Sequence, residues 1–143
     1  MGLEWVVFTC AGHRFAFPLH RVREILPPHA YTRIPGCSAV VCGLAGVRGR
    51  VVTVFDFGVV ANLRPAVEAP DHRVVLVERG ERLIGLAVDA IDAVARSTEE
   101  LPLGPETLRA LGIERDDVLG VGALGDRPFL AVDPDRVLGR LLT

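Results

Sequence analysis

Short apolar runs rich in β-branched and aromatic residues alternate with turns that contain glycine or proline. EWVVFTC (4–10) and FAFPL (15–19) flank the turn AGHR, which predicts a β-hairpin. Pro18 cannot donate a ladder hydrogen bond, so we expect it at a strand end or a sheet edge. RVVTVFDFG (50–58) is apolar almost throughout and predicts a strand buried on both faces. In contrast, we expect one or two helical turns in CSAVVCGLAG (37–46).

The second half of the chain has the same character. HRVVLVERGERLIGLAVDAIDAVA (72–95) predicts another hairpin, around ERGE. It follows RPAVEAPD (64–71), whose two prolines and alternating charges predict a linker. STEELPLGPETLRALGIERDD (97–117) is polar and rich in helix breakers, with one helical turn expected at PETLRAL (105–111). Because almost no stretch has a 3.6-residue period, the pattern predicts a mainly β chain.

The two halves also match each other. An offset of 77 aligns residues 43–60 with 120–137, and an offset of 69 aligns 16–25 with 85–94. The difference of 8 between the offsets fits an insertion in the polar stretch 97–117. Three aligned pairs are Gly43 with Gly120, Arg50 with Arg127, and Asp56 with Asp133. We therefore infer an internal repeat of one unit: hairpin, connector, glycine-rich turn, strand and Asp.

A repeated unit of short strands and many turns predicts two small β-barrels packed together, with few short helices. A chain of 143 residues suits a single domain, which we place over residues 1–143. The predicted first barrel covers residues 15–66. The predicted second barrel combines residues 1–14 with 67–143.

Charge and composition narrow the function classes. The formal net charge is −2, and all 16 basic residues are arginines scattered without a basic stripe, which disfavours nucleic-acid binding. The start, MGLEWVVFTCAG, has no basic n-region or long apolar h-region, and no apolar run reaches the roughly 18 residues of a membrane span. The three cysteines (Cys10, Cys37 and Cys42) then predict reduced thiols in a cytoplasmic protein.

The segment GLAGVRGRVVTVFDFG (43–58) raises the question of a phosphate-binding loop. Its glycines recur every third residue, a strand follows instead of a helix, and the chain has no lysine, so turn chemistry explains them better. Arg48 is either a solvated turn residue or a partner-binding group, since its planar guanidinium suits a carboxylate. Glu24 is either a surface carboxylate or the partner of Arg48 on the same face.

No catalytic constellation emerges from the polar residues. The four histidines lack metal-ligand spacing, and neither serine lies in a nucleophile motif. Asp56 and Asp133 each end an apolar strand and are predicted to be turn or cap residues. We therefore expect no enzyme activity, no metal and no cofactor.

Five blocks in this order and spacing, over about residues 4–142, resemble the CheW-like domain of bacterial chemotaxis. They are FAFPLHRVREIL (15–26), TRIPG (32–36), VCGLAGVRGRVVTVFDFG (41–58), RLIGLAVDAIDAV (82–94) and VLGVGALGDRPFLAVDPDRVL (118–138). The resemblance implies two SH3-like five-stranded β-barrels around a shared hydrophobic core. It also implies an adaptor without catalytic activity that links chemoreceptor cytoplasmic tips to the regulatory domain of the histidine kinase CheA.

The resemblance further implies a receptor-binding set. The family's V-x-E-I falls on Val22, Glu24 and Ile25, and its N-L-R-G turn falls on residues 46–49, with Val47 and Arg48. The Asn-Leu of that turn is replaced here by Gly46-Val47.

Kinase-facing positions fall on Gly43 and Gly85. The implied location is the cytoplasm, with recruitment to receptor arrays and no direct insertion into the membrane. Two alternatives stay open: an auxiliary regulatory copy in another chemosensory pathway, and a small-ligand-binding module.

Overall fold

Two β-sheets make up most of the described chain. The computed structural model describes residues 3–97 and 113–142. Its strands are β1 (Leu3–Cys10), β2 (His13–Pro18), β3 (Val22–Leu26), β4 (Val41–Val47), β5 (Arg50–Asp56), β6 (Arg73–Arg79), β7 (Arg82–Val88), β8 (Ala90–Ser97), β9 (Val118–Leu124) and β10 (Arg127–Val132). Short helices α1 (Phe57–Val60) and α2 (Pro134–Leu141) follow β5 and β10, and 3₁₀ turns cover Leu19–Arg21, Ala66–Glu68 and Arg115–Asp117. Within these ranges, no helix has the length and apolarity needed to cross a membrane.

Each sheet has five strands. Sheet A has the order β8-β1-β2-β10-β9, and sheet B has the order β3-β6-β7-β5-β4. All neighbours are antiparallel except β10 with β2 and β5 with β7, which run parallel at the centre of each sheet. The mainly β class with few helices is therefore confirmed.

The internal repeat is confirmed by the strand pairing. In sheet B, Gly43 lies opposite Val54, and adding 77 to both numbers gives Gly120 opposite Ala131 in sheet A. The parallel ladders agree under the offsets 77 and 69: Thr53 opposite Ile84 in β5–β7, and Leu130 opposite Phe15 in β10–β2. Even the bulges that follow Val41 and Val118 coincide.

The repeats exchange strands between the sheets. The hairpin β1–β2 joins β8, β9 and β10 in sheet A, whereas the hairpin β6–β7 joins β3, β4 and β5 in sheet B. The chain passes between the sheets through the 3₁₀ turn Leu19–Arg21 and again at Asp89. The two sheets do not coincide with the predicted lobes 15–66 and 1–14 plus 67–143. The predicted boundary at residue 15 would separate β1 from β2, which form one hairpin in sheet A.

A shared core lies between the sheets. Phe8, Phe15 and Phe17 from sheet A surround Phe57 of α1, with ring centroids 5.0 to 5.6 Å from that of Phe57. Leu86 of β7 belongs to the same buried cluster. Each sheet also curves around a smaller apolar cluster of its own. Burial of apolar side chains, these aromatic rings among them, is the dominant favourable contribution to the fold's stability.

The two repeat-related aspartates cap helices, as predicted. Asp56 accepts a hydrogen bond from the Val59 amide at the start of α1, and Asp133 accepts one from the Asp135 amide at the start of α2. The buried Asp56 carboxylate also accepts from the amides of Ala66 and Val67, at 2.8 and 3.1 Å. The predicted linker 64–71 is therefore tied to the end of β5.

Two predictions from the sequence differ from the structure. The helical turns expected in CSAVVCGLAG are wrong, because Val41–Val47 forms β4 and pairs with β5 throughout its length. Closure into SH3-like barrels is not confirmed. Within the described residues, β8 and β9 are the edge strands of sheet A and do not pair with each other, and β3 and β4 are likewise the edge strands of sheet B. The helical turn predicted at 105–111 lies outside the described residues.

Candidate functional site

Arg48 occupies the tip of the hairpin β4–β5. Val47 pairs with Arg50, which leaves the two-residue loop Arg48-Gly49. Both loop residues have positive φ, 48° and 77°, the pattern of a type I′ turn. For a residue with a Cβ, this left-handed conformation costs about 1–2 kcal/mol. The turn therefore fixes the direction of the Arg48 side chain at some cost in stability.

Glu24 receives that side chain. Arg48 donates through both terminal guanidinium nitrogens to both carboxylate oxygens of Glu24, a bidentate pair. Glu24 lies on edge strand β3, and the hairpin tip belongs to the opposite edge of sheet B. The predicted pairing is therefore confirmed, and it connects the two edges of the sheet across its curved face.

The pair is charged and open to solvent. The Arg48 side chain is 73% exposed and that of Glu24 is 27% exposed. The hydrogen bonds from Arg48 lower the pKa of Glu24, and the same bonds raise the pKa of Arg48. Because exposed pairs contribute little to stability, its main effect is to orient two charges on the surface.

The other predicted receptor-binding residues separate into surface and supporting positions. Ile25 is 39% exposed and, one position after Glu24 on β3, its side chain lies on the opposite face of the strand. Val47 is only 7% exposed and packs in the small core of sheet B. Val22 is half-buried against the core between the sheets. The charged surface of the site therefore consists of Glu24 and Arg48, and Ile25 is exposed on the other face of β3.

Gly43 and Gly85 are buried where other atoms leave no space for a side chain. A Cβ on Gly43 would lie 2.4 Å from the carbonyl oxygen of Thr32, and its φ is +141°. A Cβ on Gly85 would lie 2.8 Å from a methyl group of Val74 and 3.0 Å from one of Val54. Both glycines therefore act through the packing of sheet B.

A side-chain contact that no sequence motif indicates holds the β3–β4 connection. The Tyr31 hydroxyl lies 2.8 Å from Nε2 of His72, and Nδ1 of His72 lies 3.0 Å from the carbonyl oxygen of Ala69. Since a carbonyl only accepts, Nδ1 carries a proton, and in the neutral imidazole Nε2 accepts from the hydroxyl. Burial raises the pKa of Tyr31. No spacing rule links residues 41 positions apart, so only the fold reveals this contact.

The cysteines are free thiols. Burial raises the pKa of Cys10 to about 12 and that of Cys42 to about 12, whereas Cys37 is exposed. A thiol with such a pKa carries almost no thiolate near neutral pH and is a poor nucleophile. Within residues 3–97 and 113–142, no three His, Cys, Asp or Glu side chains cluster as metal ligands.

Comparisons with known proteins give one consistent family. The profile of the CheW-like domain matches residues 4–141. The chain is 29% identical to the chemotaxis protein CheW of Klebsiella aerogenes over 140 residues, which is 96% of this chain and 82% of that protein. It is 28% identical to the chemotaxis protein CheW of Rhizobium meliloti over 137 residues, 95% of this chain and 87% of that protein.

A solved structure shows the same fold. The scaffolding protein TtCheW from Thermoanaerobacter tengcongensis superposes with a TM-score of 0.81, covering 96% of this chain and 88% of that one. The sequence identity is 23%, so this likeness concerns the fold.

Proposed function

The chain belongs to the CheW-like domain family, and from this premise we propose that it is a chemotaxis adaptor without catalytic activity. It couples chemoreceptors to a histidine kinase of the CheA type. The observation that carries the proposal is the family match over residues 4–141, nearly the whole described fold. Relatives named as chemotaxis protein CheW, each similar over most of its own length, support the same conclusion.

The receptor tip binds the surface formed by Glu24, Ile25 and Arg48. An amphipathic helical tip offers an apolar face with charged side chains at its margins, which suits an oriented ion pair and an exposed isoleucine on one edge strand. Val22 and Val47 contribute to receptor binding indirectly. Their packing supports β3 and the hairpin turn. The type I′ turn limits the motion of Arg48 before the partner arrives, which reduces the entropy lost on binding.

The CheA regulatory domain binds a separate part of sheet B. Gly43 and Gly85 contribute through shape, since both are buried and allow close packing of the strands around them. We place the adaptor in the cytoplasm, recruited to membrane receptor arrays through its partners.

SH3-like closure of each sheet belongs to the same proposal. The backbone bridge between Thr32 and Leu44 at the edge of β4 supports closure of sheet B.

Co-precipitation with a chemoreceptor cytoplasmic tip and with a CheA regulatory domain tests this function. The native chain should retain both partners. Arg48→Glu and Glu24→Arg should each lose most of the receptor tip but keep the kinase domain. Arg127→Glu, the same charge change at an exposed residue of sheet A, is the matched control. Failure of the native chain to retain either partner would reject the adaptor function, and full receptor binding by both variants would reject this surface.

A further inference from the structure

A notch opens in sheet B between the first residues of the two parallel strands. It has a volume of about 210 Å³ and is lined by Arg50, Val51 and Thr53 of β5, by Arg82 and Ile84 of β7, and by Leu142 after α2. The parallel ladder begins only at Thr53 opposite Ile84. Before that point β5 pairs only with β4, and β7 only with β6, so the two hairpins leave a gap.

The lining of this notch carries an excess of positive charge, with Arg50 and Arg82 against Glu81. Arg82 lies directly opposite Arg79 in the hairpin β6–β7, and like charges in such cross-strand pairs are destabilising. Neither residue, nor Arg50, forms an ion pair with any part of the described chain. Arg50 reaches across the gap, with Nη2 3.5 Å from the carbonyl oxygen of Glu81. The Glu81 side chain brings the only negative charge to the described lining of the notch.

An apolar surface lies beside these charges. Val51 is 73% exposed, the highest exposure among the large apolar side chains in the described ranges. Side chains alternate along a strand, so Val51 shares a face with Thr53, and Arg82 shares a face with Ile84. Ile84 is buried and forms the apolar floor next to Leu142. An exposed valine beside two guanidinium groups suits a ligand that joins an apolar group to a carboxylate.

We propose that this notch is a docking subsite for an acidic segment of a protein partner. A Glu or Asp carboxylate of that segment lies between Arg50 and Arg82, and a neighbouring apolar side chain covers Val51. Charge complementarity identifies this occupant, because a carboxylate would relieve the repulsion between Arg82 and Arg79. The subsite is separate from the Glu24–Arg48 pair, since Val51 and Glu24 lie on opposite faces of sheet B. Ile25 shares a face with Val51, but β6 and β7 lie between their strands.

The repeat supplies an internal comparison. The equivalents of Arg50, Val51 and Arg82 in sheet A are Arg127, Pro128 and His13. The sheet A counterpart thus keeps one guanidinium, that of Arg127. Arg14, next to His13, is already paired within the chain, since its Nε lies 3.6 Å from Oδ2 of Asp92. Only sheet B combines two unpaired arginines with an exposed valine at this point of the fold.

The test is a titration of the ¹⁵N-labelled chain with the peptide N-acetyl-Leu-Glu-Leu-amide, followed by NMR. Amide shifts should concentrate on residues 50–53 and 81–84. The isosteric peptide N-acetyl-Leu-Gln-Leu-amide should bind about fivefold more weakly, since it lacks the charge. Arg82→Gln should weaken binding of the Glu peptide by a similar factor, and Glu81→Gln should strengthen binding of this peptide about twofold. Arg127→Gln, in the sheet A counterpart of the notch, should leave the affinity for the Glu peptide unchanged.

Three results would overturn the subsite. They are equal binding of the Glu and Gln peptides, shifts centred elsewhere or absent at millimolar peptide, and an equal loss in Arg127→Gln, which would indicate net charge alone. The spectrum of each variant without peptide reports whether it is folded. Because no receptor or kinase is used, this result is separate from the outcome of the co-precipitation.

Discussion

Arg48 is held in a backbone conformation that residues with a Cβ avoid, with φ of 48°. In a type I′ turn, Asn at this position followed by Gly is strongly preferred. The chain instead has Arg-Gly, and the arginine makes the bidentate contact with Glu24. The residue at the tip is therefore suited to presenting a charge more than to stabilising the hairpin.

We expect Arg48→Asn to increase the free energy of unfolding by about 1 kcal/mol while weakening receptor-tip binding, because Asn tolerates the left-handed region better. Urea denaturation and the receptor-tip precipitation measure the two effects. Ala11→Asn is the matched control, since Ala11-Gly12 is a second two-residue turn with φ of 48° and 83°. It should gain stability without losing the partner. A loss of stability in Arg48→Asn would contradict the turn argument.

Glu24 provides a second test at the level of single residues. Its folded pKa lies below the ordinary value of 4.5, chiefly because Arg48 donates hydrogen bonds to the carboxylate. The stabilisation from this pair is therefore complete above pH 4.5 and is lost as the pH falls through the lowered folded pKa. In Arg48→Ala the pKa of Glu24 should return towards 4.5, as followed by the shift of its carboxyl carbon. An unchanged pKa in that variant would show that Arg48 is not the cause.

At the scale of elements, the β3–β4 connection is held by few contacts. Thr32 exchanges two backbone hydrogen bonds of 2.8 Å with Leu44, and Tyr31 contacts His72. The Thr32 contact requires Gly43, since any Cβ there would collide with the Thr32 carbonyl. The backbone contact of this connection with the edge of sheet B therefore depends on one glycine.

Gly43→Ala should lower the free energy of unfolding by about 2–4 kcal/mol, because both the collision and the positive φ act against alanine. Cys42, next in the chain and half-buried, should then become alkylated faster by iodoacetamide, while the fully buried Cys10 stays protected. Gly46→Ala is the matched control on the same strand, since nothing lies within 4 Å of its Cβ position and its φ is ordinary. Equal effects of the two substitutions would reject this account of Gly43.

At the scale of the whole molecule, the exchange of hairpins makes each sheet depend on both repeats. Sheet A needs β1 and β2 from the first repeat, and sheet B needs β6 and β7 from the second. Neither half of the chain contains a complete sheet. The folding unit is therefore the whole domain, although the sequence repeats.

We expect the fragments 1–70 and 71–143 to lack cooperative unfolding when separate and to recover it when mixed, because each contains strands that pair only with the other. Circular dichroism with thermal melting measures this directly. A cut placed within the β4–β5 turn, which separates two neighbouring strands of one sheet, serves for comparison. Cooperative melting of either fragment alone would show that the repeats fold independently.

Local signals in the sequence were sufficient for the hairpins and for the caps at Asp56 and Asp133, and they left the pairing of Glu24 with Arg48 as one of two alternatives. Each of these depends on neighbouring residues or on a family motif. β4 was missed because the small residues between Val41 and Val47 obscure the strand period, and its assignment depends on pairing with β5. The division of strands between sheets and the gap at Arg50 and Arg82 depend on long-range pairing, on which turn chemistry carries no information.

The two crossings between the sheets have a mechanical consequence. Sheet A and sheet B are joined by covalent chain at Leu19–Arg21 and at Asp89, positions that the repeat relates to each other. A force applied to one sheet is therefore transmitted to the other through these two covalent connections, in addition to the packed core. The two connections therefore limit how far the sheets can separate when opposing forces act on them.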